Sequence, residues 1–428
     1  MSQHSFNDVF GARYMRDFQC IGPECPETCC SGWKVEVDKH HFKKIKKHLT
    51  SSPEGKKQFN RSLKRTRAVQ GDDGYAVIAT DKNKSCVFLD EDRLCSLHRQ
   101  FGETTLPNTC ASYPRSMIAR GERLEVYGVM SCPVVAEAVL LSENPFDLLD
   151  IGQADSMRFG SIRYSIDEND AYDVFFDDVR GFILNLLIQP TMTFDQKAYV
   201  ICRFAGDIHT AYHRGCEISA GMALKTIVDR YQQELTIKGL IKEFNQLPET
   251  TASAVTEVLQ LLVLGVQSGS QSSSTLKEYI ESIFQQVDLG ISDDVVEDTD
   301  AERFIHTYQS KKSYQQGEVW AQLNEYLLRY SINHWLSVPY LISDSLLDYV
   351  QNWVLRVASL RLLVMSNPVF HTSTAIDTEV LRELVMRIFQ QYGRGIESRP
   401  DYIRKIIQHF ATTDPLTAVA QTLLFLKI

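Results

Sequence analysis

Eight of the ten cysteines lie between Cys20 and Cys132, and only Cys202 and Cys216 follow. Their order is Cys20-x4-Cys25-x3-Cys29-Cys30, then Cys86-x8-Cys95-x14-Cys110-x21-Cys132. Thiols crowded in this way are structural disulfides, buried free cysteines or metal ligands, and the compartment decides among the three. Met1 to Asp8 has no charged start followed by an apolar run. The best apolar stretch, Val354 to Met365, is interrupted by Arg356 and Arg361. No secretory signal and no transmembrane segment are therefore expected, and the chain is placed in the reducing cytoplasm. There, clustered cysteines point to metal or redox chemistry.

Thiolates a few residues apart on a tight turn converge on one centre because the turn bends the backbone around it. Gly22, Pro23, Pro26 and Gly32 supply such turns, and the later cysteines close the site from other loops. All eight, Cys20, Cys25, Cys29, Cys30, Cys86, Cys95, Cys110 and Cys132, are read as metal ligands. The paired Cys-x2-Cys knuckles of a simple zinc site are missing, which favours an iron–sulfur cluster of the 4Fe-4S kind. His98, close after Cys95, keeps a Cys3His zinc site as the alternative. Eight thiols exceed one four-ligand site, so there are either two centres or some packing or redox cysteines. Cys202 and Cys216 are read as isolated core residues on helical segments.

At 428 residues the chain is too long for one ordinary core. Residues 1–150 hold the cysteines and most of the turn punctuation, and they read as a loop-rich metal module with short strands. Those strands include Tyr75 to Ile78 and Leu124 to Val129. From about Tyr172 apolar residues recur at helical spacing, and residues 151–428 read as an all-α array, so the fold class is mainly α. Helical runs are expected over 174–186, 224–244, 250–266, 318–336, 346–365, 378–392 and 402–410. Breaks are expected at Gly265, Pro339, Asn367-Pro368 and Gly393-Arg394-Gly395. Ser268 to Ser274 reads as a flexible connector. A formal net charge of -9 argues against general nucleic-acid binding.

The series Cys20…Cys25…Cys29-Cys30, Cys86-Val87-Phe88-Leu89, Leu94-Cys95-Ser96-Leu97-His98 and Cys110-Ala111-Ser112-Tyr113-Pro114-Arg115 resembles the zinc- or iron-chelating cysteine-cluster superfamily. Within it, the whole chain resembles the flagellin lysine-N-methylase family. Tyr14 to Cys20, Cys29-Cys30-Ser31-Gly32-Trp33, and Glu325 to Tyr330 followed by Trp335 and Pro339 carry that likeness. The resemblance implies methyl transfer from S-adenosylmethionine to lysine ε-amino groups on flagellin, dependent on an iron–sulfur cluster, with the helical domain binding donor and substrate. The residues alone show no Gly-rich dinucleotide-type loop. Nor do they show the Cys-x3-Cys-x2-Cys loop of radical S-adenosylmethionine enzymes, since Cys20, Cys25 and Cys29 are spaced by four and three residues. No catalytic or donor-binding residue is assigned. Without catalysis, the chain would be a metal-chelating, metal-delivery or redox-sensing protein.

Between Lys39 and Arg67 stand eleven Lys or Arg and one carboxylate, Glu54. They read as a solvated helix face, with peripheral docking to anionic lipid or to an acidic protein as the functional readings. Asp288 to Glu302 holds seven acids and no base, a solvated loop able to attract a lysine-bearing substrate. Tyr113-Pro114-Arg115 and Tyr127 read as turn residues with a pocket role as the alternative. Tyr326, Tyr330 and Trp335 read as core.

Overall fold

The computed structural model describes residues 8–66, 74–152, 162–213, 215–217, 220–248, 252–267, 274–285, 317–372 and 376–397, with positions 6, 72, 302 and 305–306 besides. Positions 268–273 of the connector, nearly all of the acidic stretch 288–302 and the run 402–410 lie outside the described residues. By contact the chain divides into two units, Met1–Ala138 with Asp147–Ser165, and Val139–Phe146 with Ile166–Ile428.

The first unit is more regular than its turn-rich sequence predicts. Strand β1 (Asp8–Ala12) runs directly into the short helix α1 (Arg13–Arg16). After the first cysteines come β2 (Glu36–Val37), α2 (Lys39–Leu49), α3 (Pro53–Ser62), β3 (Leu63–Arg65) and β4 (Ala76–Ile78). Then follow α4 (Ser96–Phe101), α5 (Asn108–Ser112), the hairpin β5 (Arg115–Arg120) with β6 (Arg123–Gly128), and α6 (Pro133–Leu141). Strands β7 (Leu148–Asp150) and β8 (Ile162–Ile166) complete a five-stranded sheet in the order β7-β1-β6-β5-β8. Strand β1 pairs parallel with β6, Gly11 opposite Val126, and there a Cβ on Gly11 would lie 2.9 Å from the Val126 carbonyl.

A second sheet, β2-β4-β3, packs with α2 and α3 around Val37, Ile45, Leu49, Phe59 and Ile78. Helix α2 begins where it does because Asp38 caps it: the carboxylate accepts the His41 N–H at 3.0 Å, and its other oxygen meets His41 Nδ1 at 2.5 Å. Helix α3 starts on Ser52, whose hydroxyl accepts the Gly55 N–H at 3.0 Å. A side chain at Gly55 would put Cβ 1.9 Å from the Leu49 carbonyl, so only glycine permits this α2–α3 turn.

The second unit is helical: α7 (Phe176–Leu187), α8 (Phe194–Ile208), α9 (Ala220–Tyr231), α10 (Glu234–Gln246), α11 (Ala252–Gln267), α12 (Ser274–Gln285), α13 (Glu318–Ser337), α14 (Leu346–Met365) and α15 (Thr378–Tyr392). Three expected features differ. The run 224–244 is two helices parted at Gln232-Gln233, Gly265 sits inside α11 and breaks nothing, and Gly393-Arg394-Gly395 continues α15 as a π-turn over Gly393–Glu397. Lone glycines cost a helix only about 1 kcal/mol, which burial of the flanking Val258, Leu259 and Leu262 outweighs.

Helix α14 lies at the centre of this unit and is buried on every side, its arginines included. Arg356 pairs with Glu397 at 2.9 Å and Arg361 with Asp195 at 2.5 Å, so each buried guanidinium has its carboxylate. The core expectation holds for Tyr326, Tyr330 and Trp335, all buried. Trp353 Nε1 donates to Ser331 Oγ at 3.0 Å, locking α14 to α13. Arg329 on α13 donates to the carbonyls of Leu140 and Ser142, which fixes 139–146 in this unit. Among the described residues no helix is long and apolar enough to cross a membrane.

Candidate metal centre

The eight cysteines of the first unit sit on four loops and short helices, and hydrogen bonds between those loops decide which thiols meet. The stretch after α1 turns at Gly22 (φ +56°), where the Cys25 N–H returns to the Gly22 carbonyl at 3.2 Å. The Cys25 thiol donates to the Glu27 carbonyl at 3.2 Å, and Arg93 donates to the Cys25 carbonyl at 2.7 Å. The chain bends again at Gly32 (φ +84°), whose N–H reaches the Lys84 carbonyl at 3.1 Å. This bend sets Cys29-Cys30 beside the second cysteine loop, where the Cys86 N–H donates to the Cys30 carbonyl at 2.7 Å.

That second loop is a built structure. A bridge pairs Leu89 with Cys95, Leu94 N–H donates to the Asp90 carboxylate at 2.9 Å, and Arg99 holds Asp90 at 2.7 Å and Asp92 at 2.8 Å. Cys95 stands at the N-cap of α4, and Cys110 lies in α5. The Trp33 ring meets Tyr113 edge-on at 4.8 Å, drawing the end of α5 toward the Cys29-Cys30 turn. Cys132 immediately precedes α6 and is buried. Tyr113 and the neighbouring Ser131 share a hydrogen bond at 3.3 Å. Tyr127, a candidate pocket residue from the sequence, is buried in β6 with its hydroxyl on Glu125 at 3.0 Å.

Electrostatics divide the thiols into two groups. Burial pushes the Cys86 thiol up to about 11, reinforced by the charges of Cys95 and Cys29. Cys30 is raised by its hydrogen bond with Cys29, then by burial and the charges of Cys29, Cys86 and Cys95. Cys95 is raised by burial with Cys29 near it, and Cys110 by burial together with Cys86, Cys95 and Cys29. Cys132 is pushed up to about 11 by burial, and its thiol neighbours are Cys25 and Cys20 instead. Cys29, Cys30, Cys86, Cys95 and Cys110 are thus neighbours in one nest, and Cys132 has Cys25 and Cys20 as its neighbours instead.

Neighbouring thiols whose ionisation burial opposes are what a multivalent cation relieves, since metal binding trades the protons for the metal. The donor set therefore fits a thiolate-bound metal or cluster in chemistry and number. It is not arranged in advance: among the described residues no group of three or more His, Cys, Asp or Glu side chains stands ready to hold a metal ion. His98 is exposed on α4. Outside the module, Cys202 is buried in α8 as expected. Cys216 is not helical; it lies half-buried in the loop after Tyr212, its N–H on the His213 carbonyl at 3.0 Å. The sequence alone did not single out Arg93, Asp90 and Arg99, the polar frame of the second loop. The Asp90-x-Asp92-Arg93 turn between two cysteines is the one local signal they leave.

Residues 19–132 match a zinc- or iron-chelating domain named for its CxxCxxCC cysteines, and residues 180–425 match the FliB lysine N-methylase C-terminal domain. The flagellar biosynthetic protein FliU of Salmonella muenchen is 27% identical over 168 residues, 38% of this chain and 94% of that protein. Lysine-N-methylases of Salmonella choleraesuis and Salmonella typhimurium are each 28% identical over 131 residues, 30% of this chain. The matched part spans 31% of the length of those two proteins. No solved structure matches the chain.

Proposed function

The chain belongs to the FliB lysine N-methylase family, and from that premise we propose that it is an S-adenosylmethionine-dependent methyltransferase acting on lysine ε-amino groups of flagellin, dependent on a 4Fe-4S cluster and working in the cytoplasm. The observation that carries the reading is the pairing, on one chain, of a methylase domain over 180–425 with a nest of five thiols ahead of it. The flagellar name of the Salmonella muenchen relative supports flagellin as the substrate class.

Cys29, Cys30, Cys86, Cys95 and Cys110 would supply the four thiolates of a cluster, with one thiol to spare. Bound there, an iron–sulfur cluster supplies an electron or a Lewis-acidic iron. The chain's own part is to hold the ligand loops in register. Arg99 does so by pinning Asp90 and Asp92, and the Cys30 carbonyl by receiving the Cys86 N–H. In a polar transfer the lysine Nζ lone pair would bond to the donor's methyl carbon as the carbon–sulfur bond breaks. For that route the lysine would first have to give up its ammonium proton to a base.

The test is anaerobic purification with iron, sulfide and zinc analysis, then incubation with flagellin and methyl-labelled donor and mass mapping of lysines. Stoichiometric iron with acid-labile sulfide, and mass shifts of one methyl on lysines, are expected. Absence of transfer by a protein with intact, reduced cluster overturns the enzyme reading. A colourless zinc protein overturns the cluster.

A further inference from the structure

The basic stretch 39–67 folds into α2, α3 and β3, and its cations divide by face. His41, Ile45 and Leu49 of α2 and Phe59 of α3 turn inward, leaving Lys43, Lys46, Lys47, Lys56, Lys57 and Arg61 exposed. Among the described residues none of these six forms an ion pair, whereas Lys39 is held by Asp72 at 2.9 Å and Arg65 lies 4.3 Å from the Tyr75 ring centre. In a chain of net charge -9, these six exposed cations are a concentrated positive field, with Glu54 the one carboxylate on the same two helices.

The same two helices enclose a groove of about 700 Å³. His48 and Leu49 line it from α2, Gln58 and Arg61 from α3, and Phe101 and Gln100 from α4. The His48 ring stacks on Phe101, centroids 4.9 Å apart, and gives the groove a flat wall. Ser51 and Ser52 add hydroxyls, and Glu54 is its one carboxylate.

We infer that this groove, with Arg61 in its wall, and the five exposed lysines on the same two helices are a docking site for an acidic peptide segment of a partner protein. Charge complementarity selects a polyanion. Shape and polarity select a peptide over a lipid surface: the groove is concave and lined by hydroxyl and amide groups that suit a backbone. Of the exposed large apolar side chains among the described residues, Val87 alone lines the groove and none lies on α2 or α3, so a single valine, and no apolar face, is offered to a bilayer here. Rim charges of this kind set on-rate and salt dependence, and the groove sets the register.

The experiment measures fluorescence anisotropy of a labelled Glu-rich peptide with the full chain at rising salt. Vesicles of phosphatidylcholine with phosphatidylserine, inorganic phosphate and a Lys-rich peptide form the comparison arms. Binding of the acidic peptide that weakens steeply with salt is expected, as is a loss of about tenfold or more in the triple variant Lys46→Glu, Lys57→Glu, Arg61→Glu. Gln58→Trp, which fills the groove and keeps every charge, should also weaken the peptide; circular dichroism verifies that each variant is folded, and Arg61→Ala replaces any that is not. The inference is overturned if the acidic peptide binds no better than the Lys-rich one, if charge reversal leaves its affinity unchanged, or if vesicles or phosphate bind with equal salt dependence while the peptide does not. Association of the chain with itself in place of peptide binding, read by light scattering across concentration, overturns it as well.

Discussion

Replacing Glu397 by Gln tests whether the centre of the helical unit rests on a compensated charge. Arg356 is 4% exposed on α14, with Glu397 at 2.9 Å and the Asn352 side-chain oxygen at 2.5 Å from its Nε. The Tyr330 hydroxyl donates to the same carboxylate. Removing one partner of a buried ion pair costs about 3–5 kcal/mol, because the remaining charge is left in low dielectric. Glu397 retains 18% side-chain exposure and Gln can still accept from Tyr330, so the lower end of that range, about 3 kcal/mol, is expected. For a domain of this size that lowers Tm by about 6–12 °C. Three of the four tryptophans, Trp320, Trp335 and Trp353, lie in the second unit, so tryptophan fluorescence during urea unfolding reports on it chiefly. Combining Glu397→Gln with Arg356→Met should recover most of the loss, since it removes the stranded charge and keeps the volume. A single variant that loses less than about 1 kcal/mol, or a double variant no more stable than the single, would refute the reasoning.

Gly55→Ala should destabilise the first unit by about 1–3 kcal/mol in urea unfolding, because the new methyl cannot coexist with the Leu49 carbonyl 1.9 Å away. Asp38→Ala should cost about 1–2 kcal/mol through loss of the α2 cap. Burial works against the Asp38 charge, but hydrogen bonds from the His41 backbone and ring, with the ring's charge, hold its carboxyl below the usual range. The stabilisation it adds is therefore present above the unfolded carboxyl's pKa of about 4 and fades as pH falls through the lowered value; the Ala variant should lack that acid-side loss in a pH series of melting curves. Cys29→Ser or Cys30→Ser should strip most metal from anaerobically purified protein, whereas Cys20→Ser should retain more of it. Equal metal content in all three by elemental analysis would disprove the grouping of thiols.

The long helices of the second unit were legible because their periodicity is sustained and their stops are chemical, as with Pro339 after α13 and Asn367-Pro368 after α14. Helix α8 escaped notice: buried positions 197–202 run without interruption, which erases the stripe that marks an amphipathic helix. The five-stranded sheet was hidden for a related reason. Strand β5 buries four consecutive residues, Ser116 to Ala119, so no two-residue alternation survives. The cysteines declared a metal module by number alone, yet their grouping was not readable. It depends on contacts between loops far apart in sequence, such as Cys86 N–H to the Cys30 carbonyl, which no local spacing encodes.

The crossing of the chain between its two units has a bearing on how the protein is made. Both edge strands of the five-stranded sheet, β7 and β8, follow the segment 139–146 that belongs to the helical unit. A ribosome that has released only the cysteines has therefore delivered β1, β5 and β6 with both flanks of the sheet open. Such edges invite pairing with other chains until residues 148–166 emerge. Full closure of the cysteine-bearing unit thus waits for residues beyond its last ligand, even though its thiols come first. A fragment ended at residue 132, where the chelating-domain match stops, would carry every ligand on an unfinished sheet.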